Sequence, residues 1–128
     1  MEKQKLAGRS ILLVEDEIWD ALDLQDSFME AGARVVTAYR LERAMQLAER
    51  TSLSAAVIDL SQGTEHASAL CRDLAKRKVP FVFYCDRMPP ELGEWVDAPM
   101  ITKPAHVNTV VEAVASLLKP VDVGSGGG

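Results

Sequence analysis

The chain has 128 residues, with 14 Lys and Arg against 19 Asp and Glu, so its net charge is −5. This length fits one domain with one hydrophobic core rather than two full domains. The acidic balance argues against a nucleic-acid-binding surface, which needs a basic stripe.

Short apolar runs alternate with amphipathic stretches along the chain. Ser10–Val14 predicts the first strand, and the helix after it ends near Gly32, where a C-cap glycine belongs. Apolar residues at helical spacing predict two more helices, the second of them beginning near Thr64, and a last helix over Ala105–Lys119. The other predicted strands are Arg34–Ala38, Ala55–Leu60, Phe81–Tyr84 and Ala98–Ile101.

The order of these elements predicts an α/β fold. Strands with continuous apolar runs, separated by helices, indicate a doubly wound, five-stranded parallel sheet that is covered on both faces. Between the fourth and fifth strands, Pro89, Pro90 and Gly93 leave room for at most a short helix. We predict an N-terminal tail over residues 1–8, one domain over 9–119 and a flexible tail over 120–128.

The cysteine content and the N-terminal sequence indicate a reducing compartment. Cys71 and Cys85 are too few for a disulfide scaffold. The first residues lack the small-residue cleavage site of a signal peptide, and no apolar run approaches the roughly 18 residues of a membrane helix. We therefore expect a cytoplasmic protein that does not contact membranes.

Charged side chains lie at or just after the carboxyl ends of the predicted strands. Open parallel sheets bind their ligands at this edge. Carboxylates held together are unfavourable without a cation, and Mg²⁺ takes carboxylate and phosphate oxygens. A lysine at the same edge could hold a phosphoryl oxygen. Taken singly, the acidic triplet Glu15-Asp16-Glu17 is also compatible with a solvated helix N-terminus, and Lys103 is compatible with an ordinary surface lysine. The strand ends are Glu15-Asp16-Glu17, Asp59, Cys85-Asp86 and Thr102-Lys103-Pro104.

Together these motifs resemble the receiver domain of bacterial two-component response regulators. ILLVEDE resembles the first strand of that family with its acidic pair, Glu15 and Asp16. VIDL resembles the strand that carries the phosphorylated aspartate, here Asp59, while PFVFYC resembles the fourth strand. ITKP resembles the lysine-proline turn, which contains Lys103. The likeness covers roughly Arg9–Lys119.

The resemblance implies phosphoryl transfer. Asp59 would accept a phosphoryl group from a histidine kinase or a phosphotransfer protein, and Lys103 would pair with a phosphoryl oxygen. Mg²⁺ would be held by Asp16, Asp59 and the backbone carbonyl of Ser61, with Glu15 acting through water. Such a protein is a phosphoacceptor rather than an enzyme. It assists the transfer of the phosphoryl group to itself and the later hydrolysis of that group, and it signals through protein–protein contacts. The sequence names neither the kinase nor the downstream partner.

Three positions depart from the pattern of the family. Cys85 stands where Thr or Ser is usual, and a thiol is a weaker hydrogen-bond donor than a hydroxyl. Asp86 stands where a small residue is usual, and Met100 replaces an aromatic residue. The short segment before Lys103 resembles an alphaproteobacterial subgroup that lacks the fourth helix, although that subgroup keeps the threonine.

These departures leave a second hypothesis open, in which a degenerate receiver binds proteins without being phosphorylated. An aspartate-nucleophile phosphohydrolase of the haloacid dehalogenase type is disfavoured, because Ser61 stands where that family has a second aspartate. A dinucleotide-binding fold is disfavoured because no GxGxxG motif follows the first strand.

Overall fold

The computed structural model describes residues 4–60, 64–86, 94–95 and 97–118, with the backbone alone for 64–66. These residues form five strands and four helices. The strands are β1 (Ser10–Val14), β2 (Arg34–Ala38), β3 (Ala55–Ile58), β4 (Phe81–Cys85) and β5 (Met100–Thr102). The helices are α1 (Ile18–Glu30), α2 (Leu41–Arg50), α3 (Thr64–Lys76) and α4 (Val107–Leu117).

The five strands form one parallel sheet in the order β2-β1-β3-β4-β5. The chain moves outward from β1 in both directions, so the predicted doubly wound α/β fold is confirmed. The order of the strands reverses between β1 and β3, and these strands are paired up to Val14 and Ile58. The residues that follow β1 and β3 are therefore neighbours at the point where such sheets bind ligands.

Each face of the sheet carries its own hydrophobic core, because alternate strand residues point to opposite faces. Leu12, Ile58 and Phe83 pack with α2 and α3 on one face. Leu13 and Val57 pack with α1 and α4 on the other. The central strands β1, β3 and β4 are buried almost throughout, which explains their continuous apolar sequences.

Helix α1 has a defined cap at each end. The Glu17 carboxylate accepts hydrogen bonds from the backbone N–H groups of Trp19 and Asp20, at 3.0 and 3.4 Å. Gly32, with φ +97°, follows the C-terminal end, and the backbone bonds there form a Schellman motif. The prediction of a C-cap glycine is confirmed, with Gly32 one residue beyond the cap residue Ala31.

The two ends of the described domain meet at the amino edge of the sheet. Within the predicted tail 1–8, residues 4–8 form a turn, and Leu6 is buried in the core beneath α1 and α4. The Arg9 guanidinium donates a hydrogen bond to the Leu118 carbonyl at 3.0 Å, and Lys5 forms an ion pair with Glu112.

Element boundaries differ from the predictions by a few residues. Strand β3 ends at Ile58, so Asp59 follows the strand instead of lying within it, and β5 begins two residues later than predicted. The last helix is shorter than the predicted Ala105–Lys119. Most of the segment between β4 and β5, for which at most a short helix is predicted, lies outside the described residues. None of the described helices is long and apolar enough to cross a membrane.

Candidate functional site

Two buried carboxylates follow β1 and β3. The backbone N–H of Glu15 donates to Ala38 at 3.1 Å, and that of Asp59 donates to Val14 at 2.9 Å. The sheet hydrogen bonds thus continue one residue past each strand and fix both backbones. Glu15 is 1% exposed and Asp59 4% exposed, and they are the two buried charged residues of the described part of the chain.

Asp16 completes a cluster of three carboxylates with Glu15 and Asp59, in which one oxygen of each lies within 4.8 Å of the others. The pKa of Glu15 is raised to about 7, first by burial and then by a hydrogen bond with Asp59. Hydrogen bonds from the Glu17 backbone and from Lys103 lower this pKa, but each by less than the hydrogen bond with Asp59 raises it. Burial and the neighbouring Asp59 therefore disfavour the charged form of the Glu15 carboxyl in the metal-free protein.

The Lys103 ammonium lies against this cluster. Its Nζ is 3.0 Å from Glu15 Oε1, 3.2 Å from Asp20 Oδ2 and 3.4 Å from Asp59 Oδ2. Burial lowers the pKa of Lys103, but the hydrogen bond to Glu15 and the charges of Asp59 and Glu15 outweigh this and raise the pKa above its ordinary value. Lys103 is therefore a fixed positive charge at the carboxyl edge of the sheet.

The side chain and backbone of Lys103 are both held by β4. Its backbone N–H donates to the Cys85 carbonyl at 2.9 Å, and its Nζ lies 5.0 Å from the centre of the Tyr84 ring. The Tyr84 hydroxyl in turn donates to the Ala105 carbonyl at 3.2 Å. Strand β4 thus anchors the loop that carries Lys103.

The three residues that differ from the receiver pattern, Cys85, Asp86 and Met100, lie in different surroundings. Cys85 is buried at the end of β4, with its side chain in the core beneath α2 and α3. Asp86, the next residue, is exposed. Met100 is half-buried against the same core as Cys85, as expected for a residue that fills a gap. Ser61, expected to offer its carbonyl to a metal, lies outside the described residues.

Sequence reasoning missed two residues of this site, Asp20 and Tyr84. Asp20 lies in the first turn of α1, three residues after the N-cap Glu17, and this closeness in sequence to the acidic triplet was the one signal that could have drawn attention to it. Tyr84 gave no comparable signal, because it reads as one more apolar residue of a buried strand. Its contact depends on the path of the Lys103 side chain.

The carboxylate cluster suits a hard divalent cation. Glu15, Asp16 and Asp59 offer oxygen ligands from two adjacent strand ends, and Asp16 is open to solvent, from which an ion could enter. Burial disfavours the charged form of the Glu15 carboxyl and raises its pKa, and a bound cation would stabilise that charged form. These residues could therefore hold a metal ion.

Comparison with known proteins gives matches among solved structures alone. No family model matches the sequence, and no curated protein matches it. A CheY-like response regulator receiver domain from Methanospirillum hungatei superposes with a TM-score of 0.76 at 16% identity, over 86% of this chain and 93% of the other. The HemR receiver domain of Leptospira biflexa gives 0.76 at 22% identity, over 88% and 96%.

A third similar structure is the receiver domain of a sensor histidine kinase from Pseudomonas aeruginosa, with a magnesium ion coordinated in its active-site cleft. It gives a TM-score of 0.74 at 20% identity, over 89% of this chain and all of the other (100%). The chain therefore has the fold of response regulator receiver domains, as the sequence motifs predicted.

Proposed function

We propose that this chain is a phospho-accepting receiver, with Asp59 as the phosphorylated residue. The observation that carries the proposal is the contact of Lys103 Nζ with Asp59 Oδ2 at 3.4 Å, beside a carboxylate cluster that could hold a metal. A buried aspartate with a fixed cation and a metal-binding cluster around it suits attack on an anionic phosphorus centre.

In the proposed reaction, a carboxylate oxygen of Asp59 attacks the phosphorus of a phosphohistidine on a histidine kinase or phosphotransfer protein. The new O–P bond forms as the P–N bond breaks, and the histidine nitrogen leaves with the bonding electron pair. Lys103 donates to a phosphoryl oxygen and holds it in place. Water later attacks the acyl phosphate, which returns Asp59 and releases inorganic phosphate.

Mg²⁺ is the cofactor we propose, held by Asp16 and Asp59 directly, by Glu15 through water, and by the Ser61 carbonyl. When bound, it would neutralise negative charge on the carboxylates and the incoming phosphoryl group. The residues of the chain supply the rest: Glu15 and Asp16 build the negative cluster, and β4 anchors the Lys103 loop through Cys85.

The decisive experiment is phosphorylation by a small donor. Acetyl phosphate and Mg²⁺ should add one phosphoryl group to the wild type, measured by mass spectrometry, and none to Asp59→Asn. Asp73→Asn is a matched control, because Asp73 lies on α3 in an ion pair with Arg77 and does not belong to the acidic cluster. A wild type that gains no phosphoryl group would support the alternative of a protein-binding module that is not phosphorylated.

We also propose that phosphorylation changes the conformation less than in a receiver with a threonine at position 85. A hydrogen bond from a hydroxyl to a charged group is worth about 1.5–3 kcal/mol, and the Cys85 thiol supplies less. A ligand shifts a conformational equilibrium only through contacts that differ between the two states.

The effect of Cys85 can be measured from amide chemical shifts with and without beryllofluoride. Cys85→Thr should enlarge the shifts in β5 and α4, and Cys71→Ser, in the core beneath α2 and α3, is the matched control. Large, saturated shifts in the wild type that Cys85→Thr leaves unchanged would show that the hydroxyl is dispensable.

A further inference from the structure

Asp20 stands apart from the acidic cluster that could hold a metal, yet it contacts the same lysine. Its Oδ2 lies 3.2 Å from Lys103 Nζ, and its side chain is 41% exposed. The other two partners of this ammonium are the buried carboxylates Glu15 and Asp59. Asp20 is therefore the one solvent-accessible anion of the described residues that holds Lys103.

The three contacts match the three N–H donors of an ammonium group. Lys103 has one acidic oxygen for each donor, at 3.0, 3.2 and 3.4 Å. A phosphoryl oxygen at Asp59 can receive a donor only if one of these contacts is given up or lengthened. Because Asp20 is the most exposed of the three, water replaces its contact at the lowest cost.

We propose that Asp20 is a positioning residue that holds Lys103 in the unphosphorylated domain and competes with the phosphoryl group for it. The inference rests on the proposed function of Asp59 and adds a residue to that site. Asp20 disfavours the phosphorylated state in two ways. It retains an N–H donor of Lys103, and it adds a negative charge close to a group that is itself anionic.

The competition predicts that removal of the Asp20 charge strengthens binding of a phosphoryl analogue. With saturating Mg²⁺, Asp20→Asn should bind beryllofluoride about fivefold more tightly than the wild type, which corresponds to the ~1 kcal/mol of a partly exposed ion pair. Occupancy is read from the ¹⁹F signal of the bound analogue. A residue that merely supported the fold would leave this affinity unchanged or lower it.

Two further variants test whether the effect comes from the contact of Asp20 with Lys103 or from the loss of a negative charge on α1. Asp23→Asn also removes one negative charge from α1, at an exposed position three residues after Asp20. Among the described contacts of Lys103, none is with Asp23. It should change the affinity less than twofold. Asp20→Glu restores the charge and should return the affinity toward the wild-type value. Thermal unfolding of each variant shows that the samples are folded at the assay temperature.

The outcomes distinguish this inference from the proposed function. If the wild type binds beryllofluoride and Asp20→Asn binds it no more tightly than Asp23→Asn does, the competition is overturned and the role of Asp59 stands. Weaker binding by Asp20→Asn would also overturn it, because Asp20 would then orient Lys103 for the phosphoryl group. If the wild type fails to bind the analogue, both the proposed function and this inference are overturned.

Discussion

Replacement of Glu15 by Gln should stabilise the metal-free protein at about pH 8 and leave it nearly unchanged at pH 4.5. Burial raises the pKa of Glu15 from 4.5 to about 7. The folded state therefore holds its proton more tightly than the unfolded state does. This contribution to stability is fully present below pH 4.5 and is lost as the pH rises through about 7.

The magnitude follows from the size of the shift. Each pKa unit is worth about 1.36 kcal/mol, so the wild type loses about 3 kcal/mol from this group between pH 4.5 and 8. Glutamine resembles the protonated carboxyl in shape and has no charge to bury. The difference in free energy of unfolding between Glu15→Gln and the wild type should therefore grow with pH by about that amount.

Urea denaturation at steps of pH, in the presence of a chelator, measures this difference directly, since the other titrating groups are common to both proteins. Glu49→Gln, on the exposed surface of α2, controls for the loss of a carboxylate elsewhere. A stability difference for Glu15→Gln that does not change between pH 4.5 and 8 would refute the reasoning. Saturating Mg²⁺ should reduce the pH dependence, because a cation stabilises the charged form of Glu15.

Three more predictions concern the carboxylate cluster and the turn after α1. Asp59→Asn should raise the melting temperature in chelator, because it removes a crowding carboxylate; a lower melting temperature would contradict this. Asp16→Ala should weaken Mg²⁺ binding at least tenfold, measured by the fluorescence of Trp19, which is 70% exposed, in a Trp95→Phe background; unchanged affinity would remove Asp16 from the site. Gly32→Ala should destabilise the fold more than Gly8→Ala in urea denaturation. Both glycines have positive φ, but a Cβ at Gly32 would lie 2.7 Å from a side-chain oxygen and 3.0 Å from backbone, whereas at Gly8 it meets nothing within 4 Å. Equal losses would show that backbone strain alone decides the cost.

The fold could be predicted because its signals are local and repeated. Buried parallel strands require continuous apolar runs, and the helices between them require apolar residues at helical spacing. Strand ends were less certain: Leu60 is buried like a strand residue, yet β3 ends at Ile58. Burial in a core and pairing in a sheet produce the same apolar sequence, so the pattern could not separate them.

The site was predictable in part for the same reason. Parallel strands bring their carboxyl ends to one edge, so Glu15, Asp59 and Lys103 could be placed together from the order of the elements. Asp20 and Lys103 are 83 residues apart in the sequence. Their contact depends on how the first turn of α1 is oriented relative to the Lys103 side chain. No local pattern encodes that orientation.

The meeting of the two ends of the domain has a consequence for protein engineering. Arg9 precedes β1 and Leu118 follows α4, and the hydrogen bond between them lies at the amino edge of the sheet. Asp59 and Lys103 lie at the opposite edge. A short linker could therefore join the two ends in a circular permutant, with new termini opened in the α2–β3 loop at the same edge as the old ones. In such a rearranged chain, the acidic cluster and the loop that carries Lys103 would keep their covalent neighbours.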